Sequence, residues 1–227
     1  MDIQSIGKIP GWEKVMADLF HQIKEGSISP EDVKAFFEKR SVVGLSASHQ
    51  TAGWQTFYHN VFGADVDFTG LQIPEKKEGF NWLVIISERI AWEAICEKCK
   101  DLFPLWTWPL VELERFGTSE RRLMQVDYAF WLRRRLEADI ELKEISASVL
   151  ARDGVPGITL EERMLLELKY FADTGMHLDP KTITLCSGSR YFRGEAPIVS
   201  WREDRLHING CPPNLIAHFM RSRHVVV

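Results

Sequence analysis

The sequence predicts an α+β protein with a helical N-terminal part and a mixed α/β body that ends in a small antiparallel sheet. Three observations predict this class: two helical hydrophobic patterns near the N-terminus, one capped helix at residues 159–174, and several short strand-like runs after residue 183. The chain has 227 residues and is 45% hydrophobic, which suffices for one large domain or two small ones.

The N-terminal region, residues 1–53, is predicted to be helical. Ser29 and Pro30 begin a helix that runs to about Arg40, because Ser caps helices well and Pro suits the first helical position. From Ser41 to Gly53 the pattern fades into small and polar residues, which predicts a loop before a second domain at 54–227. An earlier helix is predicted over Trp12–Glu25 from apolar residues at helical spacing: Trp12, Val15, Met16, Leu19, Phe20 and Ile23.

The first half of the second domain alternates between strand and helix signals. Trp54–Gly63 is rich in aromatic residues and fits either a helix or a strand. Trp82–Ser87 is a continuous apolar run, which is typical of a buried strand. Ala91–Phe103 predicts an amphipathic helix. Tyr128–Leu136 alternates between apolar and polar residues and predicts another strand.

The second half is organised around one helix. Ile145–Gly157 is rich in Ser, Gly and Pro and predicts a loop. Thr159 and Glu162 have capping-box spacing, so we expect a helix that runs to about Thr174 and ends at Gly175. Four strands are predicted after it: Ile183–Ser189, Pro197–Trp201, Arg205–Ile208 and His224–Val227.

Charge and hydropathy limit the partners and the location. The net charge is −4, and the basic run Arg133–Arg135 is followed by Glu137, Asp139 and Glu141, so we expect a mixed solvated face and no nucleic-acid partner. No apolar run approaches the length of a membrane span, and the first residues lack a signal-peptide pattern. The sequence therefore predicts a cytoplasmic protein without a membrane span, although export by another route stays open.

Catalytic motifs are missing from the sequence. It contains no HExxH, GxSxG or phosphate-binding glycine loop. Cys96, Cys99, Cys186 and Cys211 could supply four thiolates to zinc, but the first two lie on the apolar face of a predicted helix, where a free Cys behaves as a small hydrophobe. We therefore expect no enzyme activity, no metal and no cofactor. The alternative is a metal- or thiol-dependent enzyme that uses Cys96, Cys99, Cys186 and nearby His residues.

The segment His207–Phe219 is irregular and has an unusual composition. It contains no Lys, Glu, Gln, Met or Trp over 13 residues. Loops favour Asn, Gly and Pro for conformational reasons, which explains part of this bias.

Several long phrases resemble a widespread group of uncharacterised bacterial proteins. They are WQTFYHNVFG, DFTGLQIPEKKEGFNWLVII, ITLEERMLLELKYFADTGMHLDPKTITLCSGSR and the frame PIVSW…LHI…MRSRHVV, and they span the chain from about Trp54 to its end. The pattern is similar to that of the variable proteins of diversity-generating retroelements. This resemblance implies a C-type-lectin-like fold whose C-terminal region, about 187–224, varies. Adenine-directed mutagenesis in such proteins excludes the five residue types that His207–Phe219 lacks.

The resemblance implies a non-catalytic protein that binds a ligand or another protein through a diversified C-terminal surface. Tyr, Arg and Asn suit adaptable recognition, as in antibody paratopes. A structural interaction module that binds through its helices is a further alternative. The side chains expected to bind the ligand are Tyr191, Phe192, Arg193, His207, Asn209, Asn214, Ile216 and His218.

A surface that tolerates many side chains needs a backbone that other residues fix in place. The ligand, the oligomeric state and the partner stay open at this point. The residues expected to anchor the scaffold are Trp201, Leu206, Met220 and Val225.

Overall fold

A computed structural model describes residues 47–106, 126–191 and 193–227, the backbone of 107 and 116–119, and residues 20, 21 and 24. The helices predicted at Trp12–Glu25 and Ser29–Arg40 lie almost entirely outside these residues. The chain divides into two compact units, Met1–Ser46 and Ala47–Val227. All the elements below belong to the second unit.

The described residues confirm the α+β class. The helices are α1 (Ala47–Phe62), α2 (Trp92–Leu102), α3 (Ala147–Arg152) and α4 (Leu160–Thr174). The strands are β1 (Trp82–Ile86), β2 (Leu105–Thr107), β3 (Phe116–Ser119), β4 (Tyr128–Leu132), β5 (Ile183–Leu185), β6 (Ser189–Tyr191), β7 (Ala196–Arg202), β8 (Arg205–Cys211) and β9 (Met220–Ser222). Among the described residues, no helix is both long enough and apolar enough to cross a membrane.

Two predicted loops are wrong because each contains a helix. α1 begins at Ala47, inside the loop predicted for Ser41–Gly53. Tertiary contacts stabilise it, since the indole N–H of Trp54 donates to the carbonyl of Leu83 at 2.9 Å, deep in the core. α3 lies inside the loop predicted for Ile145–Gly157, and the Ser146 hydroxyl caps it by accepting from the Val149 N–H.

Helix α4 is the centre of the unit. The Thr159 hydroxyl accepts from the backbone N–H of Glu162, while the Glu162 carboxylate accepts from that of Thr159, so the predicted capping box is confirmed. Gly175 adopts a left-handed conformation with φ of 68°, which confirms the predicted end of the helix. Every side chain of Leu160–Lys169 except Glu161 is buried, because the helix packs against α1, α2, β1 and β7.

The strands form three sheets. β1 pairs with β4, and β3 pairs with β6, in two antiparallel ribbons. The main sheet has the order β2-β8-β7-β5-β9. Within it, β7 and β8 form an antiparallel hairpin with seven paired residues in each strand. β2 and β9 are its parallel edges. The C-terminal segment therefore contributes both an internal strand, β8, and an edge strand, β9.

Several predicted strands have different limits in the structure. The strand predicted over Tyr128–Leu136 ends at Leu132, and the run Ile183–Ser189 divides between β5 and β6. The terminal strand predicted for His224–Val227 is wrong. His224 and Val226 form isolated bridges to two different segments, at Gly157 and Trp131, so they cannot continue one ladder.

Candidate functional site

Three of the four predicted anchors are buried, and the fourth, Trp201, is half-buried. Leu206, Met220 and Val225 are each at most 2% exposed, which confirms their predicted burial. Trp201 is half-buried on β7 and stacks on the imidazole of His177, with ring centroids 3.3 Å apart and planes within 3°. The ring of Phe103 meets Trp201 edge-on at 6.0 Å. These ring contacts therefore fix β7, which pairs with β8 along its whole length.

A buried ionic cluster, defined here as Arg163, Glu167, Asp179 and Arg223, lies beside this packing. None of the four side chains is more than 1% exposed. The Arg163 guanidinium donates to Glu167 Oε2 at 2.7 Å and to Asp179 Oδ2 at 2.9 Å. Arg223 Nη2 donates to Asp179 Oδ1 at 2.8 Å. The cluster therefore joins α4, the loop before β5 and the C-terminal tail.

Opposite charges offset the desolvation of this cluster. Burial alone would raise the pKa of Asp179, but Arg223 and Arg163 outweigh burial and keep that pKa below its usual value. Burial would likewise lower the pKa of Arg163, but Glu167 and Asp179 raise it. Asp179 and Arg163 therefore stay charged near neutral pH. The remaining lone pairs of Asp179 accept from the Ala138 N–H and the Thr184 hydroxyl.

The ionic cluster fixes the chain on the C-terminal side of the irregular segment. Arg223 also donates to the carbonyls of Arg135 and Leu136, at 3.0 and 2.8 Å. The Asp139 carboxylate accepts from the His224 N–H at 2.9 Å. The backbone after β9 is therefore tied to residues 135–139 through groups with almost no contact with water.

The residues between these fixed points divide into two sets. Arg193, Asn214, Ile216 and His218 are exposed, as predicted. Tyr191 and Asn209 are half-buried, and the Tyr191 hydroxyl donates to the Asn209 carbonyl at 3.3 Å. Phe192 lies outside the described residues.

The prediction of an exposed His207 is wrong. His207 is 8% exposed, lies opposite Ser200 on β7, and contacts the ring of Trp106 on β2 with centroids 5.2 Å apart. Strands on both sides cover it, because β8 is an internal strand of the sheet. Burial, helped by the Arg202 guanidinium, lowers the pKa of His207, so its imidazole is neutral at pH 7.

Residues 212–219, which we call the display loop, connect β8 to β9 and are fixed by backbone hydrogen bonds. The Ser148 N–H donates to the Pro213 carbonyl at 2.8 Å, and the Ile183 N–H donates to the Phe219 carbonyl at 3.0 Å. Ala217 packs into a small core with Leu185, Cys211 and Met220. The display loop therefore has a defined conformation although most of its side chains are exposed, among them Asn214, Leu215, Ile216, His218 and Phe219.

Two of these exposed residues were not among the predicted site residues. Leu215 is 41% exposed and Phe219 is 53% exposed. A sequence pattern assigns large apolar residues to the core. Only the backbone path of the display loop shows that Leu215 and Phe219 are exposed.

His218 is positioned by the turn before α3. Its Nδ1 lies within hydrogen-bonding distance of the Glu144 carboxylate, and its Nε2 lies 3.4 Å from Lys143 Nζ. Lys143 Nζ in turn lies 3.4 Å from the Glu144 carboxylate. The side chain of His218 keeps 82% of its exposure despite these contacts. Its imidazole is therefore both oriented and available to a partner.

Three of the four cysteines, Cys99, Cys186 and Cys211, are buried in surroundings that keep a thiol protonated. Burial raises the pKa of Cys99 and Cys186 well above the ordinary value, and it raises that of Cys211 to about 11. A protonated thiol is a poor nucleophile and a poor metal ligand. Among the described residues, no group of three or more His, Cys, Asp or Glu side chains could coordinate a metal.

A shallow cleft of about 440 Å³ lies away from the C-terminal segment, between residues 67–72 and 126–129. Its two carboxylates make local hydrogen bonds. Asp67 accepts from Thr69, and Asp127 accepts from the Ser87 hydroxyl and the Glu88 N–H. These contacts cap turns. The Tyr128 hydroxyl, from another residue that lines the cleft, donates to Glu162 Oε1 at 3.1 Å.

Two half-buried or buried histidines make stability depend on pH. Burial lowers the pKa of His207 and of His224. The Arg133 guanidinium lowers the pKa of His224 further. The unfolded chain therefore takes up protons first, and the free energy of unfolding should fall as the pH drops below about 6.5. Urea unfolding at pH 7.5 and pH 5.5 measures this loss. The double variant His207→Gln, His224→Gln should lose less stability between these pH values, and an unchanged loss would contradict the assignment.

No protein-family model, no curated protein and no solved structure matches this chain.

Proposed function

We propose that the protein binds a protein or surface ligand, without catalysis, through the side chains displayed by its C-terminal segment. The observation that carries this proposal is the separation between the exposed side chains and the groups that fix their backbone. Arg193, Asn214, Ile216 and His218 face solvent, whereas Leu206 and Met220 are buried on either side of the display loop. Exposed positions on a fixed backbone can change without loss of the fold.

A preorganised surface favours binding because little conformational entropy is lost on association. The display loop is held by backbone hydrogen bonds to Ser148 and Ile183 and by the packing of Ala217. Half-buried Tyr191 and Asn209 add an amphipathic border on β6 and β8. Such a mixture of aromatic, amide and basic groups is typical of adaptable recognition surfaces.

Two matched libraries test this proposal. One library randomises Arg193, Asn214, Ile216 and His218, and the control library randomises Leu206, Met220 and Val225. Both libraries are displayed on the surface of cells or phage, and resistance to protease measures folding. We expect most members of the first library to fold and few members of the second library to fold. Panning the first library against unrelated purified proteins should yield binders. A first library that folds no better than the control, or that yields no binders, would contradict the proposal.

The C-type-lectin-like topology and the natural diversification of residues 187–224 stay predictions of the resemblance. The genomic neighbourhood of the coding sequence tests the second of these predictions. We expect a near-copy of the C-terminal coding segment beside a reverse-transcriptase gene, with adenines at the codons of Asn209, Asn214 and His218. A neighbourhood without such a copy would leave a binding protein with a constant surface.

A further inference from the structure

We infer that helix α1 acts as a substitute strand, which closes the edge of β1 that faces away from β4 and prevents β1 from pairing with a second copy of this chain. This role is separate from ligand recognition by the C-terminal segment. Backbone groups of a strand alternate in direction, so every second residue of β1 presents its N–H and carbonyl to β4 and the others face away. The groups that face away belong to alternate residues from 81 to 87, within and just beyond β1.

Side chains of α1 bind the backbone of this edge as a neighbouring strand would. Gln50 Oε1 accepts from the Leu83 N–H at 2.8 Å, while Gln50 Nε2 donates to the Asn81 carbonyl at 3.3 Å. The indole N–H of Trp54 donates to the Leu83 carbonyl at 2.9 Å. Both backbone polar groups of Leu83 are therefore satisfied by α1.

A third side chain of α1, Tyr58, bridges the far end of the strand. Its hydroxyl donates to the Ile85 carbonyl at 2.7 Å and accepts from the Ser87 N–H at 3.1 Å. Tyr58 is fully buried, and burial raises the pKa of its hydroxyl, so the proton that Ile85 accepts is retained at physiological pH. With Gln50 and Trp54, Tyr58 brings the number of hydrogen bonds from α1 to this edge to five.

The spacing of these three side chains matches the repeat of a strand. Positions 50, 54 and 58 are four residues apart, and four residues of an α-helix rise by about 6.0 Å. Two residues of a strand rise by about 6.6–6.8 Å. Because the two repeats are nearly equal, one face of α1 can follow alternate residues of β1 in register. Helix packing driven by apolar contacts alone would not require a polar group at each of the three positions.

The segment that α1 covers has the composition of a self-pairing strand. Residues 80–87, FNWLVIIS, contain no charge, no Pro and no Gly, and every residue of β1 is buried. Uncharged apolar edge strands pair with identical strands of other chains unless another element covers them. The opposite edge of the ribbon is closed by backbone, since Trp131 and Val226 exchange hydrogen bonds at 2.9 and 3.0 Å. A second copy of β1 is therefore the occupant that this edge favours when α1 is displaced.

The double variant Gln50→Met, Tyr58→Phe tests this role, because it nearly preserves the volume of both side chains and removes four of the five hydrogen bonds. At low protein concentration, the Leu83 and Ser87 amides should exchange with solvent at least about fivefold faster than in the wild type, the factor expected for one lost hydrogen bond. At high concentration, the variant should form larger species than the wild type in sedimentation velocity. The same two amides should then become protected again, because a second copy pairs with them.

Gln55→Met is the matched control on the same helix. The Gln55 amide donates to the Val66 carbonyl at 3.2 Å and not to β1, so this variant should keep the association state of the wild type. A double variant that also keeps that state at every concentration would overturn the inference. Larger species in which the Leu83 and Ser87 amides stay unprotected would overturn it too, because association would then use another surface. If the double variant does not fold, Gln50→Met and Tyr58→Phe are measured singly, with the same readouts and the same outcomes.

Discussion

Replacing Asp179 by Asn should lower the free energy of unfolding by about 3–5 kcal/mol, because it leaves buried positive charge with too little compensation. Asp179 accepts from both Arg163 and Arg223, and each of these side chains is at most 1% exposed. Glu167 would then be the one carboxylate left in the cluster, and it contacts Arg163, but no hydrogen bond or ion pair within the cluster joins it to Arg223. Asn preserves the size of the side chain, and it also tolerates the left-handed backbone at this position, where φ is 56°. The loss would therefore report charge and hydrogen bonding.

The matched control for this variant is Asp153→Asn. Asp153 pairs with Arg152 at 2.8 Å, but both side chains are largely exposed. Exposed ion pairs contribute little to stability because solvent screens them, so we expect a small change in the urea midpoint. Equal losses in the two variants would contradict the role that we assign to the ionic cluster.

The pH dependence of the same variant follows from the lowered pKa of Asp179. A carboxylate with a lowered folded pKa stabilises the protein above its unfolded pKa, which is about 3.9, and this contribution disappears as the pH falls through the folded pKa. The difference in stability between wild type and Asp179→Asn should therefore be constant from pH 5 to 8 and shrink in stronger acid. A difference that shrinks near pH 6.5 would point to histidines instead.

The sequence predicted correctly those helices and strands whose ends are specified by residues close to them in the chain. Helix α4 was predictable because Thr159, Glu162 and Gly175 specify its two ends by short-range hydrogen bonds and backbone conformation. β7 and β8 were predictable because their apolar runs are bounded by turns. The start of α1 was not, since residues 47–53 lack an apolar pattern and depend on contacts with a distant strand.

The candidate site was predictable only in part for a similar reason. Exposure of Asn214 and His218 follows from residue type, but burial of His207 follows from strand order, which no local pattern reveals. Arg163 and Glu167 would be assigned to the solvent by their charge. Their burial depends on Asp179 and on Arg223, which are brought together only when the C-terminal tail crosses the helix. The groups that fix the backbone around the display loop were therefore the hardest to predict from the sequence.

Gly157→Ala is the second substitution from which we expect a large effect. A Cβ atom at position 157 would lie 1.7 Å from Ser187 Oγ and 3.2 Å from Ser222 Oγ. Both hydroxyl groups are buried and hydrogen-bond to each other at 2.9 Å, so neither can move without the loss of a buried partner. Overpacking of this kind destabilises by about 1–3 kcal/mol or more.

Gly157 contacts the C-terminal tail, so a substitution there should also affect β9, which follows the display loop. Gly157 forms a bridge with His224, and the adjacent Ile158 N–H donates to the Arg223 carbonyl at 3.0 Å. A shift of this backbone would displace the tail that the ionic cluster fixes, and β9 with it. We therefore expect hydrogen exchange of the Ser222, Val225 and Val226 amides to accelerate in the variant.

A compensating variant separates steric overlap from other causes. Adding Ser187→Gly to Gly157→Ala removes the atoms that the new methyl group would meet and should restore part of the lost stability, as measured by urea unfolding. Gly53→Ala is the control, because no atom lies within 4 Å of a Cβ at this position inside α1, and it should stabilise the protein by about 0.5–1 kcal/mol. If Ser187→Gly fails to rescue Gly157→Ala, the close approach of these two segments is not what positions the C-terminal tail. If it does rescue the variant, the missing side chain at Gly157 is a structural requirement for the position of the C-terminal tail.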